Sequence, residues 1–247
     1  MTTDLNRNFT SFVLLDSLDF DFMALKKSLE DKLNITIADE NFNEEGVIFY
    51  YKNILITLNL IKNRIPNDEA EYYANFNFMW KDALVQTKKH QAHLLVAVLS
   101  QDESKIEQAK LFTQIAALCL EDKHALGFYT GAVVLEPHFY IENAKMLNDN
   151  RLPVYNWVYV NVYPGENGVN AYTSGLRNFN KLELEVCDAK IKEKELFFCI
   201  YDIILHLLTY DLSLKDKDIL KFEDGKKVKF IKSQGLKIEH ESLKIIF

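Results

Sequence analysis

GVIFYYKNILITLNLI, residues 46–61, decides the fold. Two β-branched and aromatic runs flank Lys52-Asn53, the pattern of two antiparallel strands joined by a short turn. Upstream, DFDFMALKKSLEDKL (19–33) sets Phe22, Leu25, Leu29 and Leu33 at helical spacing, with Asp19 or Asp21 placed to cap the start. SFVLLD (11–16), before it, reads as a strand. Downstream, Pro66-Asn67-Asp68 opens a helical region that reaches about Lys89 and breaks near Met79-Trp80, where the periodicity fails. AHLLVAVLS (92–100) is a continuous apolar run, typical of a strand buried on both faces. The order β-α-β-β-α-β is that of a ferredoxin-like sandwich, with helices on one face of an antiparallel sheet.

The second half extends the pattern. SKIEQAKLFTQIAALCLED (104–122) carries an apolar stripe of Ile106, Ala109, Phe112, Ile115, Ala116 and Cys119, suited to a helix that links two halves and packs between them. ALGFYTGAVV (125–134) reads as a strand and EPHFYIENAKML (136–147) as a helix. VYNWVYVNVY (154–163) and VNAYTSGLRNF (169–179) form a hairpin across PGENG. KEKELFFCIYDIILHLLTYD (192–211) is an amphipathic helix, and short strands near DILKF, KVKFI, LKIE and LKIIF close the chain. The expected class is therefore α+β: two side-by-side ferredoxin-like (βαββαβ) units with antiparallel sheets and helices packed on them. One unit would span 1–103, and 104–247 would hold the linking helix and a closely packed C-terminal unit. A single mixed sheet is the competing architecture.

With 247 residues, 48% hydrophobic and 26% charged, the composition is that of a soluble globular protein. No apolar run approaches the roughly 20 residues that span a bilayer. MTTDLNRNFTSFVLLDS lacks the order of a signal peptide, so cytoplasmic residence without a membrane partner is expected. The formal net charge of −7 argues against nucleic-acid binding, which needs a basic surface. The tail is richer in lysine, with Lys215, Lys217, Lys221, Lys226, Lys227, Lys229 and Lys232 interleaved with Asp216, Asp218, Glu223 and Asp224. That mixture reads as a solvated strand edge, which lysines protect from edge-to-edge pairing. Cys119, Cys187 and Cys199 read as small buried hydrophobes, and an odd number suits a reducing compartment.

Chemical motifs are sparse. Residues 125–144 hold Glu136, His138 and Glu142. Pro137 suits the first turn of a helix, Glu136 meets the positive helix end, and His138 and Glu142 stand one turn apart. Zinc needs three or four ligands, and no second His pair or HExxH accompanies them. A helix start with a surface pair is the reading adopted. His90 at a helix end and His93 at a strand mouth read as imidazoles bonded to backbone carbonyls. Cys199 and His206 share an apolar helix that offers no accessible, electropositive setting for a thiolate. TSGLR (173–177) is not a G-x-S-x-G elbow, and no phosphate-cradling glycine loop occurs. No catalytic, cofactor-binding or metal-binding residue is assigned. NAYTSGLRNFN (170–180) is the richest polar-aromatic stretch, and its Tyr172 and Arg177 are types enriched at protein interfaces.

FVLLDSLDFD, NFNFMWKDA, HQAHLLVAV, ALGFYTGAVVLEPHFYIE and NAYTSGLRNFNKLELEV together resemble the bacterial family described as domain of unknown function 4261. The likeness runs over residues 11–246, with the domain itself in the C-terminal part. Lys81 departs from it, since relatives are expected to carry Pro after the Met-Trp pair. The resemblance implies a stand-alone bacterial cytoplasmic protein and transfers no catalytic residue.

Two functional expectations follow. The first is a non-enzymatic protein-binding protein, an immunity or accessory protein for a secreted toxin, whose acidity steers it to a basic partner. The alternative is a small-molecule-binding enzyme or sensor. Its pocket would lie between the two halves, lined by Tyr129, Glu136, His138, Tyr172 and Arg177. A homodimer through an exposed sheet edge is compatible with either, and neither calls for a cofactor.

Overall fold

The computed structural model describes residues 8–38, 41–43, 45–77, 79–222, 225 and 227–246. Glu223, Asp224 and Lys226 of the lysine-rich tail lie outside the described residues. The fold is mixed α+β with two sheets, and the chain divides into two units, Met1–Asn156 and Trp157–Phe247. No helix of the described residues is long and apolar enough to cross a membrane.

The first unit holds β1 (Phe9–Leu15), α1 (Phe22–Leu33), β2 (Phe42–Asn43), β3 (Gly46–Tyr51), β4 (Ile54–Ile61), α2 (Glu69–Asn75) and α3 (Ala83–Thr87). It continues with β5 (Ala92–Leu99), α4 (Lys105–Cys119), β6 (Ala125–Tyr129), β7 (Val134–Leu135) and α5 (Pro137–Ala144). Local signals fix several boundaries. The Asp21 carboxylate accepts the Ala24 N–H at 2.9 Å to start α1, and Asn34, left-handed at φ 55°, ends it. Ser104 caps α4 by accepting the Glu107 N–H at 3.2 Å. The Lys52-Asn53 turn joins β3 to β4 as expected, with Lys52 at φ 54°.

The sheet order is β2-β3-β4-β5-β1-β6-β7, and every described pairing is antiparallel. This corrects the ferredoxin-like expectation. A split βαβ needs two parallel strands joined by a helix, whereas three successive antiparallel pairings set β1 and β3 in opposite directions. Helices also lie on both faces. Helix α4 packs on β1 and β5, and α5 on β6, over a face that includes Val13, Val96, Val98 and Phe128. On the other face Leu14 and Tyr129 join Ile65, Ala70, Ala74, Ala83 and Val134 in a second core cluster under α2 and α3. The division expected at 103/104 thus falls inside the first unit, because α4 is buried against this sheet and β6 extends it.

A helical turn, α6 (Val154–Trp157), spans the junction where a strand was expected. The second unit continues with β8 (Tyr159–Pro164), β9 (Val169–Ser174), β10 (Glu183–Ala189), α7 (Glu193–Thr209), β11 (Ile219–Lys221), β12 (Lys227–Gln234) and β13 (Glu241–Ile246). Its order is β11-β12-β13-β10-β9-β8, antiparallel except for the parallel pair β10 and β13. That parallel pair requires a crossover, and α7 lies within it. Leu196, Ile200, Ile203, Ile204, Leu207 and Leu208 form the buried stripe of α7, which packs on β8 and β9. A separate strand β10 was not expected, and 236–239 form a turn where a strand was expected. The second unit therefore does not repeat the element order of the first.

Candidate protein-binding face

Residues opposite one another in an antiparallel ladder share a sheet face. On the first sheet the register aligns Ile48, Thr57, Ala97 and Thr10 in one row, Tyr50, Leu55 and Leu99 in the next, and Asn59, Leu95, Phe12 and Tyr129 in a third. Helices α2 and α3 contact this face at β6 and β7. Its β3 end stays open, with Ile48 61% and Tyr50 72% exposed.

An aromatic series runs from this face onto α2. The His93 ring meets Phe12 edge-on at 5.4 Å, Phe12 stacks on Tyr129 at 6.1 Å, and Tyr129 meets Tyr73 at 6.0 Å. Tyr73 then meets Tyr72 at 5.3 Å, and Tyr72 meets Phe76 at 5.1 Å. The series ends on side chains that reach solvent, since Tyr72 and Phe76 are both exposed. Large amphipathic rings on a fixed scaffold are what protein interfaces favour.

Hydrogen bonds hold this scaffold. The Tyr129 hydroxyl donates to Glu69 at 2.8 Å, and burial, then that acceptor, pushes the phenol far above its usual range. His93 meets the Asn63 carbonyl at 2.7 Å, and burial lowers its pKa. His90 is fully buried. Its Nε2 accepts the Ile65 N–H at 3.0 Å, so its Nδ1 carries the proton toward the Thr87 carbonyl at 2.6 Å. Burial, the largest cause, holds this imidazole below its ordinary value. Arg64 donates to the Lys88 and His90 carbonyls, each at 3.0 Å, and to the buried Glu71 carboxylate. The two histidines bond to backbone carbonyls, as their sequence context suggests.

The five pocket residues expected from the sequence fall in both units. Tyr129 faces α2 and α3, whereas α5 packs on the opposite face through Tyr140 and Phe128, whose rings are 4.6 Å apart. Glu136 is the exposed cap residue of α5 and Pro137 its first residue. His138, 80% exposed, lies 3.9 Å from Glu142, which also pairs with Lys145 at 2.5 Å. The Lys145 hydrogen bond lowers the Glu142 pKa. Tyr129, on one face, is thus not gathered with His138 and Glu142 on the other. In the second unit the Tyr172 hydroxyl accepts from Asn161 at 2.9 Å, and the Tyr172 ring meets Tyr163 at 6.1 Å. Arg177 sits in a 3-10 turn, Leu176–Phe179, where its N–H donates to Glu183 at 3.1 Å. Cys119 is buried as expected, but Cys187 is exposed. Among the described residues no three of His, Cys, Asp and Glu are grouped to hold a metal ion.

The polar residues that sequence reasoning passed over are Glu183 and Glu185, only 4% and 3% exposed. Glu183 accepts the Gly175 and Arg177 N–H groups and the Thr173 hydroxyl. Glu185 accepts the Leu236 and Lys237 N–H groups and the Ser242 hydroxyl. Each carboxylate anchors one loop to β10. The signal was present as the alternation in ELEV, which puts Leu184 and Val186 on one face and both glutamates on the other.

No curated protein and no solved structure matches the chain. Residues 172–246, which run from within β9 to the end of β13, match the model of the family described as Domain of unknown function (DUF4261), the family that the sequence resembles.

Proposed function

We propose that the protein is a non-enzymatic, cytoplasmic protein-binding protein that serves as an immunity or accessory protein for a secreted toxin. The observation that carries this reading is the open face of the first sheet: Ile48 and Tyr50 stand exposed at its β3 end, and an aromatic series that starts on β5, β1 and β6 ends at the exposed Tyr72 and Phe76. Exposed Tyr, Phe and Ile side chains held on strands and at a helix end supply the large contact area that protein partners use. Charge supports the same reading. Residues 157–247 hold 14 Lys/Arg and 14 Asp/Glu, leaving 15 and 22 in residues 1–156, so the entire −7 lies in the first unit. That field favours encounter with a basic partner. His90 and His93, which the sequence suggests are bonded to backbone carbonyls, make those bonds, and the Tyr129 hydroxyl is held by Glu69.

The test is affinity purification of the tagged chain from its native host, beside the variant Ile48→Asp/Tyr50→Ser. A protein encoded next to this chain should be retained by the wild type and lost from the variant at unchanged thermal stability. Recovery of the wild-type chain alone refutes the proposal.

A further inference from the structure

The second sheet has one face under α7 and another that presents lysines. We propose that this second face docks an acidic segment of another protein, one that alternates carboxylate and apolar side chains. The register sets Lys221 opposite Lys227, Lys229 between Ile219 and Ile246, and Lys244 between Ile231 and Glu185. Strand alternation places these residues opposite Val228, Phe230 and Ile245, which are buried. Ile219 and Ile246 remain 56% and 51% exposed beside the lysines.

Three observations point to an anionic occupant. Lys221, Lys227, Lys229 and Lys244 make no ion pair among the described residues, although nearby Lys232 pairs with Glu241 at 2.8 Å. Like charges directly opposite on a sheet are destabilising, and Lys221 and Lys227 occupy such a pair. Among the described residues of this face the carboxylates, Glu183 and Glu185, are buried and already accept hydrogen bonds, so the lysines dominate the accessible charge of those residues. The unit as a whole is neutral, with 14 groups of each sign, so the lysines of this face are a local concentration of positive charge.

The aliphatic partners decide the class of occupant. Non-specific single-strand nucleic-acid binding combines cations with aromatic rings on which bases stack. Here the side chains between the lysines are Ile219, Ile231 and Ile246, and the rings on the same face, Tyr172 and Tyr163, lie beyond Glu185 and meet each other edge-on, with Lys237 over Tyr163. The isoleucines match a peptide with aliphatic side chains between its carboxylates. Lysine stems also cover apolar surface while their heads remain in water.

Fluorescence anisotropy with a labelled peptide of alternating Glu and Val, about ten residues long, tests this on the whole chain. Binding is expected at about 0.01 M salt and should weaken toward 1 M, as the screening length falls from about 30 Å to about 3 Å. The double reversal Lys229→Glu/Lys244→Glu should lower affinity about tenfold or more, since it turns two attractions into repulsions. Tyr50→Ser, in the first unit, should leave it unchanged. The proposal is overturned if the Glu-Val peptide does not bind, or if the double reversal leaves its affinity intact. Equal affinity for a Glu-Gly peptide of the same charge removes the role of the isoleucines and also overturns it. Tighter binding of a single-stranded DNA oligonucleotide overturns it in favour of nucleic acid.

Discussion

Replacing Glu183 by Ala removes three acceptor contacts at once. One carboxylate oxygen accepts the Gly175 and Arg177 N–H groups at 2.9 and 3.1 Å, and the other accepts the Thr173 hydroxyl at 2.6 Å. Hydrogen bonds to charged groups contribute about 1.5–3 kcal/mol each, and they are not additive. Gly175 and Arg177 are half-buried, so water can replace part of what their N–H groups lose. Thr173 is 1% exposed, but its oxygen still accepts the Leu184 N–H at 2.8 Å. The net cost should be about 3 kcal/mol for Glu183→Ala. Glu183→Gln keeps an oxygen for the two N–H groups but loses the acceptor for Thr173, and should cost about 1 kcal/mol. Urea unfolding followed by fluorescence measures both. The chain has two tryptophans, so Trp80→Phe leaves Trp157 as the reporter. Its ring lies 5.4 Å from Phe179, at the end of the turn that Glu183 anchors. With a slope of about 1–3 kcal/mol per molar urea, the Ala variant should shift the midpoint by about 1–3 M. A shift below about 0.3 M would refute the view that this buried carboxylate holds the turn.

Further outcomes follow from the same contacts. His90 and His93 both have pKa values lowered by burial, so their contribution to stability is complete above the ordinary value near 6.5 and is lost as pH falls below it. The thermal midpoint should drop between about pH 7 and pH 5, and His90→Asn/His93→Asn should flatten that dependence, as calorimetry across pH would record. Gly175→Ala should destabilise the second unit by about 3 kcal/mol or more, since its φ is +129° and an added Cβ would stand 2.3 Å from the Trp157 carbonyl oxygen. The Trp157 unfolding signal reports that loss. Ile48→Ser and Tyr50→Ser, at exposed positions, should each change stability by no more than about 0.5 kcal/mol in the same urea experiment.

Elements whose pattern is local were legible in the sequence. The hairpin at 46–61, the apolar run of β5 and the stripes of α4 and α7 appear where periodicity places them. The break near Met79-Trp80 is also real, separating α2 from α3. Strand order was not legible, because pairing joins segments far apart in the chain. β1 lies between β5 and β6, and no local feature of SFVLLD distinguishes that from the ferredoxin-like order. β10 was missed because two glutamates in ELEV resemble a solvated edge. They are buried only because loop N–H groups some 6 to 52 residues away come back to meet them. The site divides in the same way. Glu136 and Pro137 could be read as a helix start from adjacent residues. The Tyr129–Glu69 bond crosses 60 residues and belongs to the tertiary fold.

The two proposed surfaces carry opposite electrostatic signatures, and this makes them separable. The first lies in a unit with 22 acidic and 15 basic side chains, the second on a lysine face in a neutral unit. Salt alone would weaken electrostatic steering to both and cannot distinguish them. Charge reversal can. Lys229→Glu/Lys244→Glu subtracts two units at each position, taking the formal charge from −7 to −11. Long-range attraction of a basic partner to the first face should then be kept or slightly increased in association rate, because the added charge has the helpful sign. Binding of the acidic peptide at the second face should collapse. Loss of both in this one variant would mean that a single surface serves both ligands, and the assignment of separate partners to the two units would have to be abandoned.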